Sequence, residues 1–180
     1  PMVSIDQNYL SQNSASNIID VLIKVPGLSS ISTGPNVSKP FIRGLGYNRI
    51  LTLFDGVRQD GQQWGDEHGI EIDQYLVDRI EVIKGPASLI YGSDALAGVV
   101  NLLPANTQPE GVIKGSLLAN YQTNNQQIAT SLNLSGNIKG FVFGARGSQK
   151  LASCYSNAVD GKVYGTRYKE NDLNVYLGVN

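Results

Sequence analysis

From residue 111 to the end of the chain, apolar and polar residues alternate. Over 111–121, Ile113, Leu117, Ala119 and Tyr121 share one face, and Lys114, Ser116 and Asn120 share the other. Over 127–138, Ile128, Thr130, Leu132, Leu134 and Ile138 oppose Gln127, Ser131, Asn133 and Ser135. Over 141–150, Phe141, Phe143 and Ala145 oppose Arg146, Ser148 and Lys150. Over 172–180, Leu173, Val175, Leu177 and Val179 oppose Asn174, Tyr176 and Asn180. Successive side chains of a strand point to opposite faces, so period two predicts four strands in an antiparallel meander, each with one apolar and one polar face. Strands of about ten residues in this order suit the wall of a transmembrane β-barrel. Taken alone, the alternation favours a soluble meander with one wet face, because soluble antiparallel sheets are common. Tyr121, Tyr155, Tyr164, Tyr168 and Tyr176 fall near strand ends, where the aromatic girdles of a barrel stand.

The first half mixes short helix and strand signals. Ser14-Ala15-Ser16-Asn17 offers N-caps for a helix whose apolar stripe is Ile18, Ile19, Leu22 and Ile23. Val25-Pro26-Gly27 ends it, because a residue before proline avoids the helical region. Leu28 to Lys39 is rich in Ser, Gly and Pro and reads as a loop. Phe41-Ile42-Arg43 reads as a short strand that Gly44 to Asn48 turns back onto a second strand, Arg49 to Phe54. Asp55-Gly56 is a strong turn signal. A long polar glycine-rich stretch follows, then a helical turn at Ile72–Leu76 and a strand at Val77–Lys84. Gly85-Pro86 opens a short helix, with proline where a missing N–H costs nothing and Gly92 as its left-handed C′ residue. Small residues then lead into a strand at Val99–Leu103. Pro104 to Pro109 brackets polar residues with prolines, so 105–110 reads as a linker between domains at 1–104 and 111–180.

Composition narrows the choices. The 180 residues are 41% hydrophobic and 16% charged, which suits a folded chain. A net charge of -1 argues against nucleic acid as a partner. No apolar run is long enough for a transmembrane helix, but that leaves strands open. The start has no signal-peptide pattern. With one cysteine, Cys154, no disulfide within the chain and no Cys-based metal site can form.

Most candidate chemistry falls away on inspection. GPASLIYGS after Lys84 lacks the Gly-Lys-Ser/Thr of a phosphate loop, and GLG at Gly44–Gly46 lacks a third glycine. Ser88 and Ser93 lie outside any GxSxG, and Ser88 is expected to face solvent or cap backbone. No enzyme is indicated. Asp66-Glu67-His68 has ligand chemistry for Zn²⁺ or Fe, and Trp64 with Gln62-Gln63 could hold an organic ligand by stacking and hydrogen bonds. A solvated loop would carry the same residues.

Three stretches taken together resemble one family. DVLIKVPG at 20–27, FIRGLGYNRILTLFDGVRQ at 41–59 and VDRIEVIKGPASLIYGSDALAGVVN at 77–101 are similar, in order and spacing, to the plug domain of TonB-dependent outer-membrane receptors. The resemblance covers about residues 10–104 and extends more weakly to 111–180 as the first barrel strands. Two departures are Ala97-Gly98 where the family has Gly-Gly, and NLLPA at the end of that strand.

The resemblance implies an α+β fold: a small mixed-sheet plug with short helices, followed by an antiparallel meander cut from a 22-stranded barrel of the transporter type. It implies energy-coupled uptake of a ferric siderophore, haem or other metal complex across the outer membrane of a Gram-negative cell. The partners would be TonB, the transported ligand and, for the full barrel, outer-membrane lipid. No cofactor is implied beyond a transported metal complex or haem. Trp64, Asp66, Glu67 and His68 become candidates for ligand contact, with His68, Asp66 and Glu67 for a metal. Arg43 and Glu81 match positions of plug–barrel contact. Gly85, Gly92 and Gly98 would let backbone pack closely inside a lumen. A closed barrel needs far more strands than this chain supplies, and no TonB-binding segment is recognisable before residue 10, so the chain reads as an excerpt. Such a piece would be soluble alone and prone to self-association through open strand edges. The alternative is a soluble α+β ligand-binding module without a transport role. Many more alternating strands downstream in the gene would exclude it.

Overall fold

The computed structural model describes residues 2–13, 15–61 and 68–179. Two compact units divide the chain at Ala105 and Asn106.

The first unit opens with β1 (Met2–Ile5) and a short helix, α1 (Gln7–Gln12). The predicted helix is α2 (Ile18–Leu22). Asn17 caps it, its Oδ1 accepting from the N–H groups of Ile19 at 3.0 Å and Asp20 at 3.1 Å. Ile18, Ile19, Val21 and Leu22 are all buried, so packing rather than propensity holds so short a helix.

Leu28 to Lys39 is not a loop. It belongs to a hairpin of β2 (Leu28–Gly34) and β3 (Val37–Ile42). Gly34-Pro35-Asn36 supplies its turn, and Pro40 is tolerated because a two-stranded ribbon has only edge strands. Nor does Phe41–Arg43 pair with the strand that follows. A tight bend with positive φ at Arg43, Gly44 and Tyr47 carries the chain into another sheet. Gly46 lies under the Phe41 ring there; a Cβ would come 2.5 Å from Phe41 Cζ.

That sheet contains β4 (Ile50–Phe54), β5 (Val57–Arg58), β6 (Val77–Lys84) and β7 (Gly98–Pro104), in the order β1-β6-β7-β4-β5. The β4–β7 pair is parallel and the others are antiparallel, so the sheet is mixed. Asp55 at φ 49 and Gly56 at φ 78 join β4 to β5, the two positive angles that a type I′ hairpin needs. One face carries the main core, where Ile50, Ile80, Val82, Val100 and Leu102 meet Ile19 and Leu22 of α2 and Ile42 of the hairpin. The other face has a smaller cluster of Leu51, Leu53, Ala95 and Val99 with Ile83 against it.

Asp20, on α2, accepts from Asn17 Nδ2 at 3.0 Å and Ser38 Oγ at 3.3 Å. Burial pushes its carboxyl above the ordinary value of 3.8, outweighing those hydrogen bonds. The folded state therefore holds this proton more tightly than the unfolded chain. The resulting stability is complete below about pH 4 and is lost as pH rises through the folded pKa. We expect Asp20→Asn to flatten that part of the stability–pH curve, measured by urea unfolding across the acid range. An unchanged slope would exclude Asp20 as its source.

The second unit is a four-stranded antiparallel meander of β8 (Ile113–Gln122), β9 (Gln127–Ile138), β10 (Phe141–Ala152) and the long last strand. Between β10 and that strand lies a small hairpin, β11 (Ser156–Asn157) and β12 (Gly161–Lys162); the last strand is β13 (Tyr168–Val179). The register turns all four apolar sets to one side. That side is the exposed one: Leu117 is 77% exposed, Leu132 63%, Leu173 80% and Leu177 69%. On the central strands β9 and β10 the polar side is shielded, with Ser148 at 8%, Arg146 at 8% and Lys150 at 2%. Lys150 Nζ pairs with Glu170 Oε1 at 3.1 Å. A water-soluble sheet has the opposite sense.

Two of the tyrosines assigned to a girdle turn to the polar side. Tyr168 donates its hydroxyl to Gln127 Oε1. Tyr176 lies over Gly144, its register partner, where a Cβ would meet the ring at 2.3 Å. Phe143 covers Gly136 in the same way from the apolar side. These aromatic–glycine pairs hold β9, β10 and β13 in register.

Candidate functional site

Two regions of the first unit carry the candidate residues. One is the polar stretch after β5; the other is the small-residue corner between β6 and β7.

The polar stretch leaves β5 at Arg58, whose guanidinium donates to Asp60 and, at 2.6 Å, to Asp94 Oδ2. That cation holds the Asp94 carboxyl below the usual carboxylate range. The stretch is thus tied at its start to the corner. Trp64, Asp66 and Glu67 lie outside the described residues. His68 is half exposed, with Nδ1 3.7 Å from Glu71 Oε1. Among the described residues, no cluster of three ligating His, Cys, Asp or Glu groups includes His68. The returning chain lies along the hairpin: a Cβ on Gly69 would sit 3.4 Å from Ser38 N and 3.5 Å from Val37 Cα. Gly69 therefore lies beside the start of β3. Ile31 and Thr33, β-branched residues two apart just before a Gly-Pro-Asn turn, are the sequence signal that would have marked this hairpin.

In the corner, β6 ends on Lys84, a buried side chain whose Nζ donates to Pro26 O at 2.9 Å, just beyond α2. Gly85 then takes φ 84, ψ −156. A 3-10 turn over Pro86–Tyr91 follows, and Gly92 takes φ 102, ψ −178. The expected left-handed C′ cap is not formed; both glycines adopt an extended conformation with positive φ that is essentially closed to other residues. A Cβ on either would meet no atom within 4 Å, so their backbone angles require glycine, not contacts within this unit. Gly98 is different: its Cβ would fall 2.5 Å from Ile83 O and 2.6 Å from Ile42 Cδ1.

Ser88 does not face solvent. It is fully buried, and its hydroxyl sits between the carbonyls of Gly85, at 2.8 Å, and Ala95, so it caps backbone across the corner. Ser93 is exposed beside Asp94, its hydroxyl 3.3 Å from Asp94 Oδ1. A hydroxyl enclosed by two carbonyls is a tie, not a nucleophile.

Arg43 and Glu81 sit on separate elements. Arg43 is exposed in the bend after β3, its N–H donating to Gly27 O at 3.2 Å. Glu81 is mid-strand in β6, on the sheet face away from α2, with Oε1 3.3 Å from Arg79 Nη2. Its register partners are Ser4 of β1 and Asn101 of β7, and the Asn101 Oδ1 is buried with no hydrogen bond among the described residues.

The model of the TonB-dependent Receptor Plug Domain family matches residues 1–99. The vitamin B12 transporter BtuB of Vibrio vulnificus is 36% identical over 106 residues, 58% of this chain and 17% of the relative. A hemin receptor of Yersinia pestis is 42% identical over 97 residues, 53% of this chain and 14% of the relative. The aligned part is thus about a sixth of these relatives. In three dimensions the copper transporter OprC matches 99% of this chain with 27% of its own, at TM-score 0.82 and 21% identity. The siderophore receptor PirA from Pseudomonas aeruginosa matches 99% with 32% of its own, at TM-score 0.73 and 22% identity. At such identity these likenesses establish fold: a mixed-sheet plug with short helices, then antiparallel strands of the kind found in barrel receptors. With the family's model matching over half of its length, the residues of the corner up to Val99 included, the chain belongs to the TonB-dependent receptor plug domain family.

Proposed function

We propose that this chain is the plug and first wall strands of an outer-membrane receptor that takes up a scarce nutrient in a TonB-dependent way. The observation that carries the proposal is the inverted meander. Leu117, Leu132, Leu173, Val175 and Leu177 face outward while Arg146, Ser148 and Lys150 are shielded, as lipid on one side and a polar lumen on the other require. The family match supplies the gate. The relatives are named for vitamin B12, hemin, siderophores and copper, so the cargo class is a metal complex or haem, bound as substrate. The role is transport rather than catalysis; the buried tie made by Ser88 is consistent with that. Trp64, Asp66, Glu67 and His68 are the candidates for ligand contact. His68, Asp66 and Glu67 are the groups that could touch a metal.

Uptake by the receptor carrying this chain tests the reading. Cells expressing it should accumulate labelled ferric siderophore, haem or cobalamin only when the energy-coupling partner is present. Accumulation that survives its deletion, or none for any metal complex, would refute it. In the same assay Glu81→Ala tests plug–wall contact. The side chain is partly shielded and, among the described residues, its ion pair is to Arg79 two positions back on β6, a partly exposed bridge worth little to folding. We expect a plug that folds normally and an altered uptake rate; unchanged uptake removes Glu81 from the contact.

A further inference from the structure

Strand β13 and the residue pair before it order their charges by side and by depth. The outward row of β13 runs Lys169, Asn171, Leu173, Val175, Leu177, Val179, its four apolar members all strongly exposed, and Arg167, also exposed, lies two residues before Lys169. The inward row holds the strand's two carboxylates, Glu170 and Asp172, with Glu170 paired to Lys150. Arg167 and Lys169 are exposed and have no carboxylate partner among the described residues. The nearest acid in the preceding loop, Asp160, is held by Asn157 Nδ2 at 3.0 Å. Lys162, in the same loop, lies over the ring of Tyr164, which is 82% exposed.

On the barrel-wall reading, on which this inference rests, a tilted strand climbs about 2.6 Å per residue. Lys169 then stands about 26 Å from Val179, at the edge of an apolar band roughly 25 Å tall, and Arg167 about 5 Å beyond. Long connections lie on the outside of such barrels and short turns on the inside, which places the 153–167 connection at the outer surface. Two exposed cations there, unopposed by any outward carboxylate on the strand, match the charge and depth of a lipid phosphate. We propose that Arg167 and Lys169 form a docking collar for the phosphate of an anionic lipid headgroup in the outer leaflet.

The test uses the whole receptor in nanodiscs, with native mass spectrometry counting retained lipids. One set is phosphatidylcholine alone; the other is doped with phosphatidylglycerol or lipid A. We expect retention of the anionic lipid to fall about 5-fold for Arg167→Gln or Lys169→Gln and about 30-fold for both. Lys114→Gln, a charge loss on the polar face, should leave it unchanged. Equal retention of phosphatidylcholine, an unchanged count in the double variant, or full displacement by inorganic phosphate would overturn the collar. Val175→Cys in a Cys154→Ser background separates this from the wall reading. If that thiol is shielded from a membrane-impermeant maleimide while the lipid count does not move, the collar alone fails. If it is labelled freely, the wall reading fails and the collar with it.

Discussion

Gly98→Ala should lower the unfolding free energy of the chain by about 3 kcal/mol, the upper part of the range for overpacking. The added methyl would come 2.5 Å from Ile83 O and 2.6 Å from Ile42 Cδ1. Ile42 can rotate away. Ile83 O cannot, because it belongs to β6 beside the Lys84–Gly98 pair, and moving it breaks the ladder. The backbone of Gly98 is not in the left-handed region, so the penalty is steric alone. Gly115→Ala, whose nearest neighbour would be 3.7 Å away, is the control. Urea unfolding followed by far-UV circular dichroism measures both. Equal midpoints would show that the corner yields to a methyl group and that close packing does not explain this glycine. Gly92→Ala fails for another reason, its φ of 102, so it cannot stand in for Gly98.

Val175→Arg should cost the folded receptor about 2–4 kcal/mol in the membrane, the penalty for arginine near the midplane of a barrel's lipid face. Val175 lies inside the outward run Leu173 to Val179, where no polar side chain interrupts the apolar row. Asn171→Arg, on the same face but toward the edge of the band, should cost no more than about 1 kcal/mol. Urea titration of the receptor refolded into lipid vesicles compares the two. If both substitutions are tolerated alike, the exposed apolar face does not meet lipid, and the barrel-wall reading loses its main support. The comparison is informative because both residues are exposed and both changes add the same charge.

Both predictions concern features of different legibility. The meander was plain in the sequence. Period-two alternation over ten or more residues leaves one reading, and the strands at Ile113–Gln122, Gln127–Ile138 and Phe141–Ala152 lie close to the stretches where alternation was strongest. Val77–Lys84 and the Asn17 cap were equally local signals. The β2–β3 hairpin was not legible, because serines and prolines masked its β-branched residues, and a ribbon of two edge strands tolerates Pro40. Neither was the parentage of β4. Its parallel partner β7 is more than forty residues away, and no local pattern encodes that pairing.

At the candidate site, sequence pointed to residue types and structure to their partners. The tie between Arg58 and Asp94 joins residues 36 positions apart, and Lys84 reaches Pro26 across 58. Glycine content at the corner suggested close packing throughout. The structure separates two causes, backbone angle at Gly85 and Gly92 and contact at Gly98.

By itself the sequence determined strand periodicity in the meander, the Asn17 cap, the Asp55-Gly56 turn and the family, because each is carried by neighbours along the chain. Only the tertiary structure decided which face of the meander is shielded, which strands share a sheet and which glycine is held by contact. Those depend on atoms brought together from distant positions, and alternation reads the same whichever face is turned to water.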